Sequence, residues 1–211
     1  MIEVVTWENR AGYAHALDEM YCLRARIFSD KLGWDVQVED GREIDVFDSL
    51  PGTAYLLYRA EDGSLKGCAR LLTTTGPNML RDVFPVLLDG APPPRAPRMW
   101  ESTRFAVEDD DVSNAGLSRG TRELLIGMTE VAQAYGLERV ISVCDIRVER
   151  VLKQAGLRTD RIGKPVRIGN VVAVAGSYVP DDATLGLLRD RAGIHDSVLG
   201  DAPWFDTRKA A

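Results

Sequence analysis

Three arginines occupy positions that patterning gives to hydrophobes. Arg24 falls in the stripe Leu17, Met20, Tyr21, Phe28, whose i, i+3, i+4, i+11 spacing marks one helix face. Strict strand alternation sets Arg70 beside Cys68 and Leu72. Arg104 interrupts MWESTRFAV at 99–107, a stretch that otherwise reads as a buried strand and also carries Glu101. Buried guanidinium groups require carboxylates. The candidates are Glu101 and, in the loop after the first helix, Asp45 and Asp48. Such a cluster suits a small zwitterion. Arginine forks onto a carboxylate, while acids hold an ammonium, or a sulfonium lying beside an aromatic face. Phe28 and Trp34 can supply that face. The plainer reading is a structural ion-pair network, or arginines whose stems pack while their heads reach water, with Trp34 as a cover over the core. Alternation puts Glu101 and Arg104 on opposite faces, so a shared pocket requires a bulge, expected near Ser102 and Thr103.

The elements that must position these residues follow from period and punctuation. A strand is predicted over 2–6, then a helix from the Asn9 cap to about residue 30. Strands over 54–59 and 66–74 are joined by the turn at 61–64, and another strand runs over 98–107. Ser113 and Asn114 are expected to cap a helix reaching Tyr135 and stopped at Gly136. A strand over 139–144, a helix from the Asp145 cap to Ala155, a strand over 171–178 and a helix over 181–191 complete a mixed sheet packed by helices. One domain over 1–211 is expected, with a loose tail from about residue 200.

Composition narrows the classes. The chain has 211 residues, 45% hydrophobic and 27% charged, as in an ordinary soluble domain. A net charge of −6 argues against a general nucleic-acid binder. Cys22, Cys68 and Cys144 are scattered without a CxxC, which points to reduced core thiols and a cytoplasmic protein, not a disulfide framework or a zinc site. Neither a signal peptide, nor an apolar run near membrane-spanning length, nor a Gly-rich phosphate loop is visible. No metal site is expected.

Arg24, Phe28, Trp34, Asp45, Asp48, Arg70, Phe84, Glu101 and Arg104, with E-S-T-R-F at 101–105, carry a resemblance. The chain resembles the acyl-homoserine-lactone synthase (autoinducer synthase) family over about residues 1–180, most strongly over the first 107. The resemblance implies an α/β fold like the GCN5-related N-acetyltransferases: a three-layer sandwich, with a twisted mixed sheet and helices on both faces. It also implies a quorum-sensing reaction. An acyl carrier protein gives its acyl group to the amine of S-adenosylmethionine. Lactonisation then yields N-acyl-L-homoserine lactone and 5′-methylthioadenosine. S-adenosylmethionine is a substrate, so no cofactor is implied. Its expected binding set is Arg24, Phe28, Trp34, Asp45, Asp48, Arg70, Thr103, Arg104 and Phe105. The expected catalytic groups are Glu101 as first choice of base, Asp45 as second, and Arg104.

On the donor side, Arg147, Arg150 and Lys153 open a locally basic stretch in an acidic chain, suited to an acidic carrier protein. A plain solvated helix face is the alternative. CoA is also anionic, but residues 113–118 lack the R/Q-x-x-G-x-G/A pattern of CoA-dependent acetyltransferases. An apolar acyl pocket is expected from Met79, Thr121, Leu125, Val140, Ser142, Cys144, Leu152 and Leu157, all of which also suit ordinary core. The competing readings are an acyl-CoA-dependent synthase or other CoA-dependent N-acyltransferase, and a non-catalytic sensor of a small zwitterion. The protein is expected to act as a monomer.

Overall fold

The computed structural model describes residues 1–108 and 117–200. Strands β1 (Ile2–Val5), β4 (Ala54–Arg59), β5 (Leu65–Thr73), β6 (Met99–Val107), β7 (Arg139–Asp145), β8 (Asp160–Arg161), β9 (Val166–Ile168) and β10 (Val171–Tyr178) form one sheet. Its order is β1-β4-β5-β6-β7-β10-β8, with β9 also on β10. Among these described strands, only β6 and β7 pair in parallel. A separate hairpin joins β2 (Val38–Glu39) to β3 (Arg42–Glu43). The hairpin and the short strands β8 and β9 carry no alternation long enough to read from sequence.

Alternating residues bury against two helical layers. Leu56, Tyr58, Ala69, Leu71 and Val140 face α3 (Arg119–Ala134), α4 (Ile146–Ala155) and α5 (Asp182–Ala192). Tyr55, Leu57, Cys68 and Ala106 face α1 (Ala14–Arg24), while Ile141, Ala173 and Ala175 pack under α2 (Met79–Asp82) and its loop. This is the sandwich anticipated from the resemblance. Gly120 lets α3 lie against β4, since a Cβ there would come within 2.6 Å of the Tyr58 ring. No helix among the described residues is long and apolar enough to cross a membrane.

Several boundaries differ from expectation. The first helix is composite: a 3-10 turn at Arg10–Tyr13, then α1, then a π-helical segment at Ala25–Lys31. Asn9 does not cap it. Its side chain instead bonds Thr6 N and Val4 O, tying the end of β1. Helix α3 begins later than patterning suggests, because Ser118 accepts from Thr121 N and caps it. Ser113 and Asn114, like the tail beyond residue 200, lie outside the described residues.

Strand β6 does contain a bulge, displaced from the expected place. Ser102 and Thr103 pair regularly with Leu71 and Arg70. The next pair is Ala106 with Cys68, so Arg104 and Phe105 together oppose Ala69. Arg104 adopts the left-handed conformation, with φ of 50°, at a cost of roughly 1–2 kcal/mol for a residue with a Cβ.

Candidate active site

The bulge turns Arg104 toward α1, into the charges that patterning singles out. Asp45 and Asp48 are fixed by a reciprocal capping box around the 3-10 turn Val46–Ser49: Asp45 accepts from Phe47 N, and Asp48 accepts from Asp45 N. Arg24 is fully enclosed and gives its two terminal nitrogens to the two oxygens of Asp48 at 2.8 and 2.9 Å, and its Nε to Glu43. Arg70, equally enclosed, forks onto Asp45, reaches Asp48 at 2.8 Å, and donates Nε–H to the Thr103 hydroxyl at 3.0 Å. Arg104 Nη2 lies 2.9 Å from both Glu43 and Asp45. The Tyr55 hydroxyl donates to Asp48 at 2.8 Å.

Three guanidinium groups and three carboxylates therefore balance. A buried charge is tolerated when its partners satisfy it geometrically, and the bidentate forks here do so. Burial opposes ionisation of Asp48, yet Arg24, Arg70 and the Asp45 N–H outweigh it and hold the carboxyl well below the usual aspartate range.

Glu101 does not join this network, contrary to expectation. Its two oxygens each accept a backbone N–H at 2.7 Å, from Met79 and Leu80 in the first turn of α2. Burial raises its pKa to about 7 against the pull of those two N–H groups. Glu43 takes the place expected of it among the arginines, bridging Arg24 and Arg104. Sequence reasoning misses Glu43 and Tyr55. Glu43 sits on the short β2–β3 hairpin, whose charge-rich sequence has no periodicity to mark it.

The network opens to solvent at one end. Asp45 and Arg104 retain 18% and 10% side-chain exposure, while Arg24, Glu43, Asp48 and Arg70 retain almost none. Beside the opening, Phe28 and Trp34 stack at 5.1 Å, and the Arg104 guanidinium lies 5.5 Å over the Phe28 ring. Trp34 is 45% exposed, so it does not cover the core as the plainer reading has it. Phe84 packs nearby, between the clusters of Leu80 and Met79. Phe105 does not belong to this site. As the other bulge residue it projects through the sheet onto the α3–α5 core.

Strands β6 and β7 pair only as far as Ser102 with Ser142. Beyond that pair, residues 103–107 and 143–145 are no longer joined by a ladder. Of the expected acyl-pocket set, Leu125, Val140, Leu152 and Leu157 belong to the α3–α5 core. Alternation aligns Ser142 and Cys144 with Val140, and Thr121 lies in the first turn of α3. Met79 stands apart from them. It lies across the sheet against Phe47 and Leu72, its Sδ accepting from Arg70 and Arg104 at 3.5 Å each. The set is thus split by the sheet, because Met79 follows Glu101 to the α1 side. Arg147, Arg150 and Lys153 are exposed on α4. Arg147 pairs with Asp145 at 2.7 Å and Lys153 with Glu149 at 3.3 Å, while Arg150 has no ion-pair partner among the described residues.

This arrangement accompanies a sequence match to the family model for autoinducer synthase over residues 9–186. The chain belongs to the autoinducer synthase family. It is 41% identical over 169 residues to an acyl-homoserine-lactone synthase of Rhizobium radiobacter, covering 79% of each chain. It is 37% identical over 161 residues to one of Pseudomonas aeruginosa, covering 75% of this chain and 80% of that one. Among solved structures, the CoA-dependent acyl-homoserine lactone synthase BjaI, with SAM and isopentyl-CoA, is similar at a TM-score of 0.88 and 28% identity, over 100% of this chain and 98% of that one. The AHL synthase LasI is similar at 0.79 and 34%, over 90% and 94%. This synthase is accordingly an acyltransferase of quorum-sensing signal synthesis, which excludes the non-catalytic sensor.

Proposed function

We propose that the synthase acylates the amine of S-adenosylmethionine with an acyl group from acyl carrier protein and closes the product to N-acyl-L-homoserine lactone. The observation that carries this reading is the meeting of Arg70, Arg104 and Asp45 with the Phe28–Trp34 stack at the one open end of a charge-balanced network. Arg104, with Arg70 behind it, takes the substrate carboxylate. Asp45, released from those arginines, takes the ammonium, and the aromatic pair carries the adenosine and sulfonium. Arg24, Asp48, Glu43 and Thr103 act from beneath, fixing the two arginines.

The attacking amine must be neutral. Glu101 holds two of its lone pairs on backbone N–H groups and keeps the others for a proton, with a pKa suited to neutral pH. The amine nitrogen bonds the thioester carbonyl carbon, the C–S bond breaks, and the thiolate leaves and is protonated. In the second step a carboxylate oxygen attacks the γ-carbon. The C–S⁺ bond breaks and neutral 5′-methylthioadenosine departs. Holding the chain bent is an orientation effect. No cofactor is invoked. The acyl thioester enters between β6 and β7, beyond their last pair at Ser102 and Ser142, and one copy of the chain in the cytoplasm suffices.

The likeness to BjaI favours a second reading of the donor, acyl-CoA. Charge reversal at Arg147 and Arg150, which lie outside the basin at the end of α4, separates the two. With a carrier-linked donor, KM should rise about ten-fold while kcat and the KM for acyl-CoA stay put. Equal loss with both donors rejects the docking role. The activity itself is tested by incubating the synthase with S-adenosylmethionine and an acyl thioester. Lactone and 5′-methylthioadenosine should appear in equal amounts, and absence of the lactone rejects the reading.

A further inference from the structure

Away from the guanidinium network, the end of α4 and the last turns of α5 enclose a basin of about 380 Å³. Its charged lining is Lys153, Arg158 and Arg191, its floor is Leu157 and Leu187, and no carboxylate among the described residues lines it. The neighbouring acid, Glu149, is already held by Arg161 at 2.6 Å and Lys153 at 3.3 Å. Arg158 is exposed and has no carboxylate within ion-pair distance among the described residues, although, secondary to the Thr184 N–H, its charge helps to hold the Asp181 carboxyl below its ordinary pKa. A helix C-terminus normally repels an anion. Here Arg191 covers that end, its Nη1 donating to the carbonyls of Lys153 and Gln154 at 3.2 and 2.6 Å. Gly156, at φ of 113°, permits the close approach of α5, since a Cβ would stand 3.1 Å from Leu187 Cγ.

Thr159 also lines this basin. Its Oγ1 is buried and has no hydrogen-bond partner among the described residues, a rare state for a buried hydroxyl. A surplus of cations, an idle donor and an apolar floor share one ligand chemistry. We propose that this basin binds a phosphate-bearing anion. Arg158 and Lys153 take its oxygens, the Thr159 hydroxyl donates to one of them, and Arg191 cancels the helix end beneath. A phosphate ester of the acyl donor and a free diphosphate both have this chemistry, and the site stands whichever acceptor the synthase uses.

Inorganic pyrophosphate titrated into the full chain by calorimetry should bind at one site, more weakly as salt rises. Arg158→Glu should weaken binding by about ten-fold or more, the value of a charge-assisted hydrogen bond. Thr159→Val, which keeps the volume and removes the donor, should also weaken it. Thermal unfolding of Arg158→Glu, altered at an exposed side chain, should match the parent. Absence of binding, or equal affinity in all three proteins, overturns the proposal. Steady-state kinetics of Arg158→Glu then name the anion's source. A raised KM for the acyl donor with an unchanged KM for the acceptor identifies the donor's own phosphate, and an unchanged donor KM identifies a free anion.

Discussion

Replacing Arg24 with methionine should destabilise the fold by about 3–5 kcal/mol, the range for breaking a buried ion pair from one side. Arg24 faces Asp48 with both terminal nitrogens and Glu43 with Nε. Methionine fills much of the same space and leaves both carboxylates without it in the interior. Arg70 and Tyr55 would still serve Asp48, and Arg104 would still serve Glu43. The remaining charges would total one excess negative, beside Glu43 and Asp48, which are almost wholly shielded from solvent. Guanidinium chloride unfolding should therefore show a lower midpoint with little change in slope. The comparison is Arg26→Met. Arg26 meets Glu108 at 2.8 Å on the surface, so its loss should cost under about 1 kcal/mol. Equal, small losses at both positions would mean that the interior network is not desolvated as its geometry requires.

Glu101→Gln should lower kcat by about 10²–10⁴-fold, the usual worth of a positioned general base. The side chain is enclosed against Met79 N, and the Met79 sulfur touches Arg70 and Arg104, so one residue links it to the network. Its pKa of about 7 fixes the sign of the pH dependence. Below that value the carboxyl is protonated and cannot accept a proton from the amine. The wild-type rate should climb with pH through an apparent pKa near 7 and level off above it, and Glu101→Gln should lose that limb. A limb that survives belongs to the substrate amine and removes Glu101 from the role. The substitution also sets an amide NH₂ against Met79 N or Leu80 N, so its unfolding midpoint must be measured beside its rate. A rate loss that tracks lost stability would make Glu101 a brace for α2 only.

Arg24 and Arg70 are legible in the sequence because each breaks a regular period, and a charge inside an apolar stripe shows in the order of residues alone. Asp45 and Asp48 are legible as the acids such cations require. Glu43 is not, since the short hairpin that turns it inward has no period to violate. Glu101 finds other partners than its pattern suggests for a related reason. A strand pattern reports that a carboxylate is buried, but not that the first turn of α2 will bring two backbone N–H groups to meet it. The need for a bulge follows from the side-chain parity of Glu101 and Arg104. Its position depends on how β6 meets Ala69 of β5, a non-local fact, and that shift sends Phe105 to the opposite face. Met79 falls outside the expected acyl pocket because it opens the single-turn helix α2, where strand alternation says nothing about which side of the sheet a residue joins.

The central claim is that Arg104 and its network read the charged amino-acid end of S-adenosylmethionine. Calorimetric titration of wild type and Arg104→Ala with S-adenosylmethionine and with 5′-methylthioadenosine, which shares the nucleoside but lacks the carboxylate and amine, tests it directly. Affinity for S-adenosylmethionine should fall about 10- to 100-fold in Arg104→Ala, while that for 5′-methylthioadenosine stays within about two-fold, the size of the small shifts expected away from a lost contact. An equal fall for both ligands, or no fall for S-adenosylmethionine, would contradict the account.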